Sequence, residues 1–317
     1  VAECLSENLY EPLFFGISKK GRWQLLEGPH GQEVVPDSGG PPLSAEVLEA
    51  IERCDLLFPV LHGPYGEDGT IQGFFEMLGK PYAGCGHRTS ALSMDKVLTK
   101  ALAEREGLPV KPFLAVREEE WRRCREALFQ KIVKKLRFPV FVKPSHYGSA
   151  IGVARVEGEE ALEEAFRKAF CYDDSVIIEE GVLSPREMEF ALFGNDRIRL
   201  FPPGEVLTGG AVYDYEAKYG EGGFGASPVA ELPEEKVREG MGLARSAFEA
   251  VGGRGFARVD FFLDGEGKFW FNEINPIPGF TEISLFPKIC EAHGVPGKKL
   301  IDWLIILGLH KERKARR

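Results

Sequence analysis

Two strongly apolar runs near the C-terminal end, "ARVDFFLD" (257–264) and "KFWFNEIN" (268–275), flank the glycine-bearing turn "DGEGK". Such a pattern reads as an antiparallel hairpin. On a strand, residues i and i+2 share a face, so Glu273 and Asn275 point at one spot and Arg258 shares a face with Asp260. The hairpin brings Asp260 within range of Glu273. Asp260, Glu273 and Asn275 are then three hard oxygen donors on paired strands, a set that suits Mg²⁺ when substrate phosphates complete its shell. Arg258 beside them is the kind of cation expected where phosphoryl or acyl charge is stabilised. Two plainer readings stand beside these: exposed strand carboxylates next to the "NPIPGF" turn, and a structural ion pair for Arg258.

The 317 residues exceed one ordinary domain and predict roughly two or three units. An open α/β unit is expected over 1–95. There "EPLFFGIS" reads as a strand, "SAEVLEAIERC" as an amphipathic helix capped by Ser44, and "CDLLFPVLHG" as an apolar strand ending at Gly63. A small α+β unit is expected over 96–183, with strands in "FPVFVKPSHYGSAIGV" and "SVIIEE" around a helix at "EEALEEAFRKAF". The third, 184–317, holds the hairpin and a helix over 234–251. Between the two strands of the middle unit, Lys143 ends an apolar run and enters a loop with Gly148, Ser149 and Gly152. Backbone N–H groups of such a loop can cradle polyphosphate, but it lacks the GxxxxGK[ST] order and equally suits a plain hairpin. Lys96 is a second candidate phosphate cation.

Composition excludes several classes. Net charge −9 argues against a general nucleic-acid binder. Six cysteines at 4, 54, 85, 124, 171 and 290 contain no CxxC pair, so neither a zinc site nor a disulfide framework is indicated. The longest apolar run, Leu300–Leu309, contains Asp302, is too short to span a bilayer and reads as a buried helix. With no signal-like opening, the expectation is a reducing cytoplasm. The tail "KERKARR" reads as a solvated end.

In this order and at these separations, "LHGPYGEDGTIQG", "SALSMDK", "FPVFVKPSHYGSAIGV", "YDYEAKY", "ARVDFF" and "NEINPIPGFTEISLFP" resemble the D-alanine–D-alanine ligase family of the ATP-grasp superfamily. The resemblance implies a three-domain ATP-grasp fold, mixing α/β and α+β units, that joins two D-alanines through an acyl phosphate for peptidoglycan precursors. It implies ATP and two Mg²⁺ ions, with Mn²⁺ able to substitute, at Asp260, Glu273 and Asn275. Lys96, Lys143 and Lys218 match the lysines on the ATP phosphates, and Glu179 and Glu187 the acids at the adenine edge and ribose. Arg258 and the Gly279 N–H match the oxyanion hole, and Ser284 the hydroxyl that binds the second substrate's carboxylate. Tyr213 belongs to the same substrate-binding set. His62 matches a histidine near the intermediate, with a capping or core histidine as the plainer reading, and Glu67 matches an orienter of Ser149 and Tyr219. The implied partners are D-alanine and a second copy of the chain, or a place in a larger fusion, with neither nucleic acid nor membrane.

Three departures accompany the resemblance. Pro276 stands where a threonine is common, and Ala150 where a second serine is usual. The family's opening strand and "GGxSxEHxVS" loop have no counterpart before "VAECLSENLYEPL", so ATP binding with little dipeptide synthesis is expected from these residues alone. Two other functions remain open: a ligase for another acid and amine or for D-alanine and D-lactate, and a non-catalytic ATP-binding module. No histidine lies between 213 and 231, which favours an amine acceptor over a hydroxy acid.

Overall fold

The hairpin read from sequence becomes the spine of the largest sheet. In the computed structural model, which describes residues 1–29, 42–207 and 225–312, strands β1 (Phe14–Ile17) and β2 (Trp23–Leu26) form a separate two-stranded hairpin. Strands β3 (Phe113–Arg117), β4 (Val140–Pro144), β5 (Ala154–Val156) and β6 (Ser175–Glu180) form an antiparallel sheet in the order β3-β6-β4-β5. The third sheet contains β7 (Arg186–Gly194), β8 (Arg199–Leu200), β9 (Gly204–Leu207), β10 (Gly225–Ser227), β11 (Gly255–Leu263) and β12 (Phe269–Asn275). Its order is β10-β9-β7-β11-β12, with β8 also on β7.

Asp264 closes the β11–β12 turn by accepting the backbone N–H groups of Glu266 and Lys268 and the indole N–H of Trp270. Along β11, alternation sends Ala257, Val259, Phe261 and Leu263 into one core and leaves Arg258 and Asp260 facing away from it. Simple alternation fails on β12, where it would put Phe269 and Phe271 on the same face as Glu273 and Asn275. A register shift resolves the conflict: Asp260 pairs with Glu273 but Phe261 pairs with Phe271, which leaves Asn272 without a partner. This bulge lets both phenylalanines enter the core while the acid and amide turn towards Asp260.

Phe190, Phe261, Phe269 and Phe271 meet edge to face in that core, beneath the helix Glu234–Ala250. Gly240 of this helix is the point of closest approach, since a Cβ there would lie 2.5 Å from the Phe190 ring. The opposite face is covered by the helices Leu285–Ala292 and Gly297–Glu312, which bury Phe286, Ile289, Leu300 and Leu304 against Phe193 and Phe256. The apolar run at 300–309 is thus a buried helix, and no described helix is long and apolar enough to cross a membrane. In the middle sheet, Val140, Val142, Val176 and Ile178 pack against the helices Glu118–Lys135 and Leu162–Phe170, which leaves Phe141, Lys143, Ile177 and Glu179 on the other face.

The N-terminal part follows the sequence at its helix and departs from it at one strand. Ser44 caps the helix Ala45–Arg53 by accepting the Val47 N–H, as its position predicts. The apolar run 54–63 is not a strand among the described residues. It makes a single parallel bridge, Leu57 with Tyr82, and Pro59 two residues on has no N–H to extend the ladder.

Gly255, with φ +95°, opens β11 where a Cβ would come 2.2 Å from the Gly84 carbonyl oxygen. No side chain fits without moving one backbone from the other. Gly255→Ala is therefore expected to lower unfolding free energy by about 2–4 kcal/mol in denaturant titration, combining left-handed strain with a backbone clash. A loss under about 0.5 kcal/mol would contradict this contact.

Candidate active site

Three acids stand in one row across three strands. Asp260 on β11 pairs with Glu273 on β12 and with Glu189 on β7. Arg258 donates from Nε to Asp260 Oδ1 at 2.8 Å and from Nη2 to Oδ2 at 2.7 Å, and its Nε lies 3.1 Å from Glu189 Oε2. Asn275 donates to Asp260 Oδ2 at 2.9 Å. Burial opposes the charge of Arg258, but Asp260 and Glu189 outweigh it and hold the guanidinium protonated. The structural ion pair and the cation beside the acids are one arrangement. Glu189 was not singled out in the sequence, although Glu187 and Glu189 at i and i+2 in "REMEF" mark one face of a strand.

Among the described residues, no cluster of three or more His, Cys, Asp or Glu side chains could by itself enclose a metal ion. The oxygens that could hold a metal ion are those of two carboxylates, Asp260 and Glu273, and one amide, Asn275. A few hard oxygens without a closed cage fit Mg²⁺ carried by a polyphosphate, which keeps most of its shell for phosphate and water.

Facing this row is a group of lysines. The helix Lys96–Arg105 places Lys96 Nζ 3.8 Å from Glu273 Oε2 and 2.7 Å from the Tyr147 carbonyl oxygen. One turn later, Lys100 is buried at 3 % exposure. Its Nζ lies 2.8 Å from Glu179 Oε2 and donates to the Phe271 carbonyl at 3.1 Å. Lys143, the last charged residue of β4, takes the other Glu179 oxygen at 2.6 Å. Burial alone would raise the Glu179 pKa, but the two ammoniums outweigh it and bring it down to about 2. Burial likewise opposes the charge on Lys143, yet Glu179, with Glu273 and Glu187 behind it, keeps its pKa raised. For Lys100, burial prevails and its pKa is lowered. Lys100 went unnoticed in the sequence, where its only signal is the i, i+4 spacing from Lys96.

The remaining candidates lie on loops and turns or fall outside the described residues. Ser149 is exposed, and both it and Ala150 are left-handed, with φ +53° and +56°, an unusual pair for non-glycine residues in a loop of this kind. Ser284 precedes the helix Leu285–Ala292, with its hydroxyl 2.9 Å from Thr281 Oγ1. A Cβ at Gly279 would lie 2.4 Å from Ser284 Oγ, so glycine is what lets that hydroxyl approach the turn. Glu67 accepts the Gly63 N–H at 2.6 Å rather than bonding to Ser149. Burial pushes its pKa up to about 7, with the charge of Glu273 adding and those of Arg258 and Lys96 opposing. His62, next to Gly63, is exposed. Tyr213, Lys218 and Tyr219 lie outside the described residues.

Family comparison covers nearly the whole chain. Residues 1–85 match the D-ala D-ala ligase N-terminus and 102–306 the D-ala D-ala ligase C-terminus. A D-alanine–D-alanine ligase of Enterococcus faecalis is 39% identical over 98% of this chain and 93% of its own. The chain is also 39% identical to the bifunctional enzyme MurC/Ddl of Chlamydia pneumoniae, over 98% of this chain but only 39% of that longer enzyme. Among solved structures, the VanG D-Ala:D-Ser ligase of Enterococcus faecalis superposes with a TM-score of 0.81 at 29% identity, covering 96% of this chain and 92% of the other.

The buried lysine–glutamate group yields a test with a definite sign. Because the Glu179 pKa falls from 4.5 to about 2 on folding, its stabilisation is present above pH 4.5 and is lost as pH drops towards 2. Glu179→Gln, which leaves two buried lysines without their counterion, is expected to cost roughly 3 kcal/mol at pH 7. Urea titrations of both proteins across pH should show the gap closing below about pH 4.5. A gap independent of pH would contradict the ion-pair account.

Proposed function

The chain belongs to the D-alanine–D-alanine ligase family, and from that premise we propose that it joins two D-alanines to D-alanyl-D-alanine with conversion of ATP to ADP and phosphate, a step of peptidoglycan precursor synthesis. The observation that carries this reading is the approach of Lys96 to Glu273, in the row that Glu273 forms with Asp260 and Glu189 beside Arg258, with Lys143 and Lys100 gathered on Glu179. Cations for a polyphosphate and oxygen donors for its metal ions thus face each other across one cleft.

In this reading the carboxylate of the first D-alanine attacks the γ-phosphate and displaces ADP, giving an acyl phosphate. The amine of the second attacks the acyl carbon, and the tetrahedral intermediate expels phosphate. Positioning and charge stabilisation are the main demands on the protein. Lys96, Lys143 and Lys218 neutralise the phosphates. Glu187 accepts the ribose hydroxyls, and Glu179 borders the adenine while fixing Lys143. Arg258 and the Gly279 N–H receive the charge that develops on the carbonyl oxygen. Ser284 binds the carboxylate of the second D-alanine, helped by the positive end of the helix it precedes, and Tyr213 is assigned to the same substrate-binding set. Glu67, which holds the Gly63 N–H, is read with Ser149, Tyr219 and His62 as serving the first substrate and the intermediate. Asp260, Glu273 and Asn275 would hold two Mg²⁺ ions, or Mn²⁺ in their place, which supply charge neutralisation of the transferring phosphoryl group. The assembly is read as a homodimer in the cytoplasm, and the same unit can serve inside a longer polypeptide like the bifunctional relative.

Incubation of the natural protein that contains this chain with ATP, Mg²⁺ and D-alanine is expected to give stoichiometric ADP, phosphate and D-alanyl-D-alanine by mass spectrometry, with D-alanine preferred over D-serine and D-lactate as acceptor. Absence of dipeptide alongside tight nucleotide binding would instead support a binding module. Glu273→Gln should lower kcat by about 10²–10³-fold at saturating Mg²⁺ with the fold intact. Arg258→Lys keeps the charge but loses the fork to Asp260, and should lower kcat by about tenfold or more with little change in ATP affinity. Near wild-type turnover in the Glu273 variant would overturn the metal-ligand assignment, and unchanged kcat in the Arg258 variant would overturn the oxyanion role.

A further inference from the structure

His146 stands at the entrance of the phosphate-facing loop, and neither the ligation chemistry nor the metal site uses it. Its backbone N–H donates to Asp173 Oδ2 at 2.7 Å. Its ring Nδ1 lies 3.1 and 3.0 Å from the two Asp173 oxygens, and Nε2 lies 3.2 Å from Asp95 Oδ2. A neutral imidazole has one N–H and one lone pair, so it would aim that lone pair at a carboxylate. Only the imidazolium satisfies both sides. Hydrogen bonds to Asp173 and then Asp95 push its pKa up to about 10 against the partial burial that opposes it.

Both partners of His146 also organise backbone. Asp95 Oδ1 accepts the N–H groups of Val97 and Leu98 and so caps the helix that carries Lys96 and Lys100. Asp173 Oδ1 accepts the N–H of Ser175, the first residue of the strand that carries Glu179. Between them, Ser145 receives the Lys96 N–H at 3.0 Å and donates its own N–H to Ser175 O at 2.9 Å. Directly after His146, Tyr147 offers its carbonyl to Lys96 Nζ, and the left-handed pair Ser149 and Ala150 follows. The helix, strand β6 and the loop therefore converge on this one side chain. Charge matters as well as geometry. Without a cation at 146, two carboxylates would stand beside a polyphosphate site, and a repulsion of this sort persists over several ångströms.

We propose that His146 is a positioning residue for nucleotide: an imidazolium, held between Asp95 and Asp173, that fixes the loop 145–150 and the Lys96 ammonium in the geometry that receives ATP phosphates. The proposal rests on the reading of this cleft as the ATP site. It adds a residue that touches no substrate and acts through Lys96 and the loop backbone.

The test uses the whole chain and a binding readout independent of ligation. Calorimetric titration with ADP and Mg²⁺ is expected to show His146→Gln binding about tenfold more weakly than wild type, the loss of one charge-assisted contact. His146→Arg, which keeps a cation able to donate to both carboxylates, should recover to within about threefold of wild type. In steady-state assays KM for ATP should rise in the glutamine variant, with KM for D-alanine within about twofold. NMR of the unmodified chain should show the His146 ring still protonated at pH 8, where an unperturbed imidazole is neutral. Equal ADP affinity in wild type and His146→Gln, no recovery in His146→Arg, or a ring that titrates near pH 6.5 would each overturn the proposal. Failure of wild type to bind ADP at all would instead overturn the reading of the cleft on which it rests.

Discussion

Lys100 and Glu179, closed off from solvent, and the mostly buried Lys143 set the geometry of the cationic side of the candidate site. Lys100, Glu179 and Lys143 come from a helix and two strands, and none could be buried alone without a heavy desolvation cost. Two lysines thus share one carboxylate, with burial lowering the Lys100 pKa while Glu179 keeps that of Lys143 raised. Lys100 also donates to the Phe271 carbonyl on the outer edge of β12, two residues before Glu273. The cationic side of the cleft is thereby fastened to the acidic side, and that edge strand is covered as well.

The acidic side depends on a backbone irregularity. A regular β12 would have forced a choice between burying Phe269 and Phe271 and presenting Glu273 and Asn275. The shift at Asn272 removes the choice, and the strand changes face between its packing half and its functional half. Rigidity follows from the aromatic core beneath, where close-packed rings hold the platform residues by their neighbours. Site geometry built on paired strands in this way is better defined than geometry built on loops.

Much of this was legible in the sequence. The hairpin, its turn, the Ser44 cap and the pairing of Asp260 with Glu273 all follow from local pattern and turn chemistry, because each is decided by neighbours within a few residues. Lys100 and Glu189 were missed for the opposite reason. A buried charge is recognisable only by its counterion, and theirs lie 79 residues on at Glu179 and 69 residues on at Arg258. The run 54–63 misled because an apolar stretch of that length reads as a strand, while Pro59 limits what it can pair. His146 was seen only as part of a loop, since Asp95 and Asp173 lie on either side of it at a distance in sequence that no spacing rule connects.

The central claim is that this cleft activates a carboxylate by phosphorylating it, so that an amine can then displace phosphate. D-alanine labelled with ¹⁸O in both carboxylate oxygens tests it directly when supplied with ATP and Mg²⁺. The oxygen that attacks phosphorus leaves with it, so each dipeptide formed should be matched by one inorganic phosphate carrying one ¹⁸O. Dipeptide accompanied by unlabelled phosphate, or by AMP and pyrophosphate, would contradict the account.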